Sequence, residues 1–336
     1  MTLSEEPVAK FKVALVDYDY PSTKVFEAEV KKFGGEFAHR RCKDIDEAIA
    51  WAGDADGWII QYLNPIGEKV FSSCKKLKVV GRLGIGYDVI DVPAATRRNI
   101  VATNVPSYCE EEVSDHAMAL LLSCARRTAL YTPAVKQGVW DWKIGKPIAR
   151  LRGQTFGLAG FGKIPRALAP KAKAFGMTVI AYDPYLKPER AKKEGVELVD
   201  FDALLARSDF ISIHCPLNAE TKGLFGKEAF SKMKRTAFLI NTARGGIVDL
   251  PALTEALKAG KIAGAGLDVL PQEPPEKAEP LLRLDNVVLT PHVGWYSEQS
   301  IIDLQATITR HVCMVCTGRK PDAVLNPEVL SKVSLK

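Results

Sequence analysis

The chain has 336 residues, 46 basic side chains against 40 acidic ones, and a formal charge of +6. That length exceeds what one small core needs and predicts two domains, while 26% charged and 47% apolar residues exclude a disordered or collagen-like chain. No apolar run approaches the ~20 residues needed to cross a bilayer, and the lysine pairs are scattered rather than striped, so neither membrane nor nucleic acid is an expected partner.

The opening Met1-Thr2-Leu3-Ser4-Glu5-Glu6 places acids where an export signal needs a basic start and an apolar core. A cytoplasmic location and free cysteines are therefore expected. Apolar, β-branched runs then alternate with amphipathic stretches. Strands are predicted at 11–16, 58–60, 79–80 and 100–101, among about five in the first 105 residues, and helices at 22–33 and 45–51. An apolar helix over 110–131 follows. A second series predicts strands at 155–159, 178–182, 210–214, 237–240, 263–268 and 287–289, with a helix at 164–175 and a last one at about 297–317. Strands alternating with helices imply parallel sheets covered on both faces. The fold class is α/β, with two doubly wound domains, one flavodoxin-like and one of Rossmann type.

Gly160-Phe161-Gly162-Lys163-Ile164-Pro165 follows a strand and opens a helix. The first glycine permits a tight turn, the second admits a pyrophosphate, and the helix N-terminus meets its charge. Pro165 replaces the third glycine, in the first helical turn, where proline costs no intrahelical bond. Asp183 follows the next strand, placed to accept from both ribose hydroxyls and to repel a 2′-phosphate, so the expected cofactor is NAD rather than NADP.

Asn241-Thr242-Ala243-Arg244-Gly245-Gly246, Leu267-Asp268-Val269 followed by Gln272-Glu273-Pro274, and Thr290-Pro291-His292-Val293-Gly294 resemble the signatures of D-isomer-specific 2-hydroxyacid dehydrogenases. Gly84-Ile85-Gly86-Tyr87-Asp88 and Asn104-Val105-Pro106 match as well. Within the family, the run from Trp295 to Ser300 looks most like the C-terminal-binding protein branch of dehydrogenase-like corepressors. The resemblance implies interconversion of a 2-oxo acid and a D-2-hydroxy acid with NAD, in a homodimer joined through the cofactor domain, with a discontinuous substrate domain of 1–104 and 297–336 and an NAD-binding domain of 105–296. A scaffold that senses NAD(H) with little catalysis is the alternative.

Residue chemistry agrees with that implication. The Arg244 fork suits carboxylate and carbonyl oxygens together. His292 can give or take a proton, and a carboxylate at Glu273 would fix its ring. Backbone amides of Gly84, Ile85 and Gly86 would complete an anion site. By the same resemblance Lys163, Ile164, Cys215, Pro216, Thr221, Thr242 and Ala243 line the NAD cleft, and Asp268 lies near the nicotinamide, although an acid ending a strand also caps turns. The loop Gln61-Tyr62-Leu63-Asn64-Pro65 lacks the cation of phosphoglycerate-type relatives, and no regulatory domain is expected after the last helix. Tyr62, Leu63 and Trp295 suggest an apolar 2-oxo acid, unless Trp295 serves packing. Trp140 and Trp142 are expected at the two-fold interface. Cys313 and Cys316 near His311 lack a second ligand pair, so no metal is expected. His39, His116 and His214 show no evident partner and read as packing or surface residues.

Overall fold

Runs that are apolar at almost every position become strands buried on both faces, and polar ones fall at sheet edges. The computed structural model describes residues 11–336, which divide into two compact units, 11–108 with Ser297–Lys336 and Cys109–Tyr296.

The first unit holds β1 (Lys12–Leu15), β2 (Glu36–His39), β3 (Gly57–Ile60), β4 (Val79–Arg82) and β5 (Val101–Thr103). All pair in parallel in the order β2-β1-β3-β4-β5, the flavodoxin-like order. Edge strand β2 escaped the sequence reading because Glu36 and His39 face solvent. The helix Glu298–Cys316 lies against β3 and β4, where Val312 occupies the space a side chain at Gly57 or Gly81 would need. The other edge is closed by Asn326, which accepts from Ala102 N–H at 2.9 Å and donates to Ile100 O at 2.9 Å. That contact covers an edge that would otherwise offer unpaired backbone groups.

The second unit contains β6 (Thr155–Ala159), β7 (Thr178–Tyr182), β8 (Glu197–Leu198), β9 (Phe210–Ile213), β10 (Phe238–Asn241), β11 (Gly264–Leu267) and β12 (Val287–Leu289). Their order is β8-β7-β6-β9-β10-β11-β12, all parallel. Six of them reproduce the Rossmann winding, and the chain reverses direction at β6/β9, where such sheets bind ligands beyond their carboxyl ends. The two-residue edge strand β8 was not predicted.

The helix predicted over 110–131 is two helices, Glu110–Arg126 and Thr128–Lys136. Between them Arg127 adopts a left-handed φ of 55°, and its N–H caps the Ser123 carbonyl. Its guanidinium lies over the Phe238 ring, 5.1 Å from the centroid, a favourable cation–π contact. No helix among the described residues is long and apolar enough to cross a membrane. No group of three or more metal-ligating side chains forms among them either. Cys313 is buried and Cys316 packs beside Gly57.

Candidate active site

The loops that follow β10, β11 and β12, three adjacent parallel strands, carry Arg244, Glu273 and His292. Parallel strands end at the same edge, so residues distant in sequence arrive together. Arg244 begins a 3-10 turn, Gly245–Ile247, and Asn241 braces it: the Asn241 side chain accepts from Ala243 N–H and donates to Arg244 O, both at 3.0 Å. Gly245 is required sterically, since a Cβ there would lie 2.0 Å from the Leu270 carbonyl carbon and 2.3 Å from Pro271 N. The Arg244 turn thus rests directly on the backbone leading to Glu273.

Glu273 divides its carboxylate. One oxygen accepts from Leu270 N–H at 2.9 Å, and the other lies 2.6 Å from His292 Nδ1. Burial would raise this carboxyl, but the His292 contact, the Leu270 N–H and the charge of Arg244 outweigh it and hold Glu273 below its usual range. With Nδ1 engaged, Nε2 of His292 is the ring nitrogen left for a reactant.

His292 has a φ of 53°, in the left-handed region that non-glycine residues rarely occupy. Its turn is anchored by Asp268. The Asp268 carbonyl accepts from His292 N–H at 2.8 Å; its carboxylate accepts from Val293 N–H and Gly294 N–H at 2.9 Å and from the Thr290 hydroxyl at 2.6 Å. Burial opposes ionisation of Asp268, yet His116, Thr290 and the two amides bring it down to about 2. Asp268 is therefore the hub of the His292 turn, with its carboxylate bonded to that turn and to Thr290. Trp295 takes part too: its indole N–H donates to His292 O at 2.9 Å.

At the same edge, Gly160 turns with a φ of 97°, and a Cβ there would meet the backbone of His214 and Cys215 at 2.9 Å. Gly162 caps the helix Lys163–Ala174 and has nothing within 4 Å of its Cβ position, so space lies open in front of it. Asp183 accepts from Phe161 N–H at 2.9 Å and from Tyr185 N–H at 3.0 Å. Each oxygen keeps a further lone pair for a hydroxyl. Lys163 Nζ lies 3.8 Å from Glu110, and Ile164 is half-buried beside it. Cys215 is held thiol-form by burial, its pKa raised to about 11, and the Thr221 hydroxyl donates to Pro216 O, closing the loop after β9. Thr242 Oγ1 is buried without a hydrogen-bond partner, and Ala243 adjoins it in the Arg244 turn. An open glycine turn, an acid beside it and an orphaned hydroxyl fit a dinucleotide.

In the first unit, Gly84 has a φ of 137°, with the Arg82 side chain where its Cβ would stand. The carbonyls of Gly84 and Ile85 are taken by Val105 N–H and Asn104 Nδ2, while the N–H groups of Gly84, Ile85 and Gly86 have no partner among the described residues. Tyr62 is 57% exposed and its hydroxyl donates to Asp19 at 3.3 Å. Its loop hangs on buried Asp17, which accepts from the N–H groups of Gln61, Tyr62 and Leu63.

The sequence reading missed Asp17, Arg82 and His116, because none belongs to a local motif. His116 was read as having no partner; its Nε2 lies 2.8 Å from Thr290 Oγ1 and 3.3 Å from Asp268. His39 pairs with Tyr18 and His214 with Ser212, each at 2.8 Å.

A family profile described as "D-isomer specific 2-hydroxyacid dehydrogenase, NAD binding domain" matches residues 118–294. The chain belongs to the D-isomer specific 2-hydroxyacid dehydrogenase family. It is 41% identical over 289 residues, 86% of its length, to a D-3-phosphoglycerate dehydrogenase of Archaeoglobus fulgidus, of which it spans only 55%. It is also 41% identical to a glyoxylate reductase of Korarchaeum cryptofilum, over 82% of this chain and 84% of the reductase. An NAD-complexed D-isomer specific 2-hydroxyacid dehydrogenase from Lactobacillus delbrueckii ssp. bulgaricus superposes with a TM-score of 0.79 at 27% identity, covering 94% of this chain and all of that one. The chain thus spans about half the length of the phosphoglycerate dehydrogenases it matches, and its second unit corresponds to the family's NAD-binding domain.

Proposed function

We propose that the protein is an NAD-dependent oxidoreductase interconverting a 2-oxo acid and a D-2-hydroxy acid. The observation carrying this reading is the delivery of Arg244, Glu273 and His292 by three neighbouring strand ends, with Glu273 bonded to His292 Nδ1. Bound NADH supplies the hydride. Arg244 holds the substrate carboxylate and polarises the carbonyl, and the amides of Gly84, Ile85 and Gly86 offer donors suited to an anion. His292 donates the proton from Nε2 during reduction and takes it back in oxidation, while Glu273 stabilises the charged ring. Gly160, Gly162 and the helix after them hold the pyrophosphate, Asp183 the ribose and Thr242 a polar group of the cofactor.

The loop after β3 offers Tyr62 and Leu63 and no cation of its own, which favours an unphosphorylated acid. Exposed Trp140 and Trp142, at 89% and 65%, with Val139, Ile144 and Ile148 beside them in sequence, support a homodimer through the second unit. Seven free cysteines fit a cytoplasmic, reducing setting.

The test is NADH oxidation against glyoxylate, pyruvate, a branched 2-oxo acid and 3-phosphohydroxypyruvate. Arg244→Ala and His292→Ala should each lower kcat at least ~100-fold. Near-normal turnover by either would reject the assignment. Tight NADH binding with no turnover on any acid would favour a cofactor-sensing scaffold instead.

A further inference from the structure

We infer that His116 is a positioning residue that holds the His292 turn in its left-handed conformation by way of Thr290 and Asp268. This rests on the reading of His292 as the proton donor, but the geometry stands on its own. The Thr290 hydroxyl has one proton, and it goes to Asp268 Oδ1 at 2.6 Å. Toward His116 Nε2, at 2.8 Å, Thr290 can therefore only accept. His116 must carry its proton on Nε2, and that N–H also faces Asp268 Oδ1 at 3.3 Å.

The remaining Asp268 bonds run to the turn itself, to Val293 N–H and Gly294 N–H. Gly294 is pressed between the same two groups: a Cβ there would lie 2.9 Å from Asp268 Oδ2 and 3.2 Å from His116 Cδ2. His116 stands in the 17-residue helix Glu110–Arg126, the longest of the second unit. The turn carrying His292 is thus fastened to a rigid element through one imidazole, one hydroxyl and one carboxylate. No other charged side chain is bonded to that imidazole among the described residues. Because Nε2 donates in both the neutral tautomer and the imidazolium, the fastening works in either charge state.

The imidazole Nε2 can be mimicked by glutamine, whose amide nitrogen reaches the same distance, but not by the shorter asparagine. His116→Ala and His116→Asn should lower kcat ~10- to ~100-fold, the scale of a displaced catalytic group. KM and the NADH dissociation constant should stay within about twofold, and His116→Gln should recover most of the rate. Thr290→Val, which keeps the shape and removes the hydroxyl, should lose as much as His116→Ala, and the double variant no more than either alone. Hydrogen exchange of amides 290–296 should rise in the Ala, Asn and Val variants and stay low in the Gln variant. This last measurement does not depend on turnover. If His292→Ala remained fully active while exchange followed this pattern, the assignment of the proton donor would fall and the positioning role would stand. Unchanged exchange in His116→Ala, or equal behaviour of Gln and Asn, would overturn the positioning role.

Discussion

Gly245→Ala puts the catalytic reading under the sharpest strain. The added methyl would stand 2.0 Å from the Leu270 carbonyl carbon, 2.3 Å from its oxygen and 2.3 Å from Pro271 N. All three are backbone atoms, so no rotamer change relieves the clash. Opening the shortest contact from 2.0 Å to even 3.0 Å, the tightest distance a real Cβ tolerates, requires a shift of about 1 Å. The displaced segment ends at Glu273, whose carboxylate is tied to Leu270 N–H and to His292, so the shift separates Arg244 from the Glu273–His292 pair. A misplacement of that size costs on the order of 100-fold in turnover, with an overpacking penalty of ~1–3 kcal/mol in stability. Gly246→Ala is the internal control. Its Cβ would meet only the flexible tip of Leu217, at 3.1 and 3.4 Å, and kcat should stay within about threefold. Steady-state NADH oxidation, NADH binding by fluorescence and thermal melting on both variants decide the matter. If Gly245→Ala turns over as fast as Gly246→Ala while folded, the contact between the two loops does not govern the chemistry.

Two further outcomes follow from named groups. Asp183→Asn keeps an acceptor for the Phe161 amide but removes the charge, so the preference for NADH over NADPH in kcat/KM should fall at least ~10-fold, because like-charge juxtaposition costs several kcal/mol; an unchanged ratio would remove Asp183 from cofactor choice. Burial pushes His214 from 6.5 down to about 3, so the native state keeps it neutral while the unfolded chain binds a proton between those values. Stability from this group is therefore complete above pH ~6.5 and lost progressively toward pH 3, by up to a few kcal/mol. Denaturant unfolding at pH 7, 5 and 4 should show a shallower loss in His214→Asn than in the parent, and parallel slopes would exclude His214 as the cause.

What could be read from sequence, and what could not, divides along physical lines. Central strands such as β3 and β9 were legible because burial on both faces makes them apolar throughout. Edge strands β2 and β8 were not, since Glu36, His39 and Glu197 face water and give no hydrophobic run. The Gly160 turn and the Arg244 and His292 loops carry local motifs, and so could be found. The break at Arg127 sets its guanidinium over a ring contributed by Phe238, more than a hundred residues later, a contact that no local pattern announces. His116 meets Thr290 across 174 positions, and nothing within its own helix announces that meeting. Asp268 was visible as an acid, but its task depends on which backbone groups the neighbouring strand brings to it.

That last point generalises within this molecule. Asp17 follows β1 and holds the loop after β3; Asp183 follows β7 and bonds into the glycine turn after β6; Asp268 follows β11 and holds the turn after β12. In each case a carboxylate at one strand end fastens the loop of the adjacent strand, so the groups proposed for binding and proton transfer are braced from the side. The three are not equivalent electrostatically. Three backbone amides and the charge of Arg82 fail to offset burial at Asp17, whose carboxyl stays above its usual value. At Asp268 two amides suffice once His116 and the Thr290 hydroxyl are added, and the carboxyl falls to about 2. The side-chain donors, His116 foremost, therefore separate a carboxylate that remains charged under acid from one that does not. The turn bearing His292 is the loop given the more acid-resistant anchor.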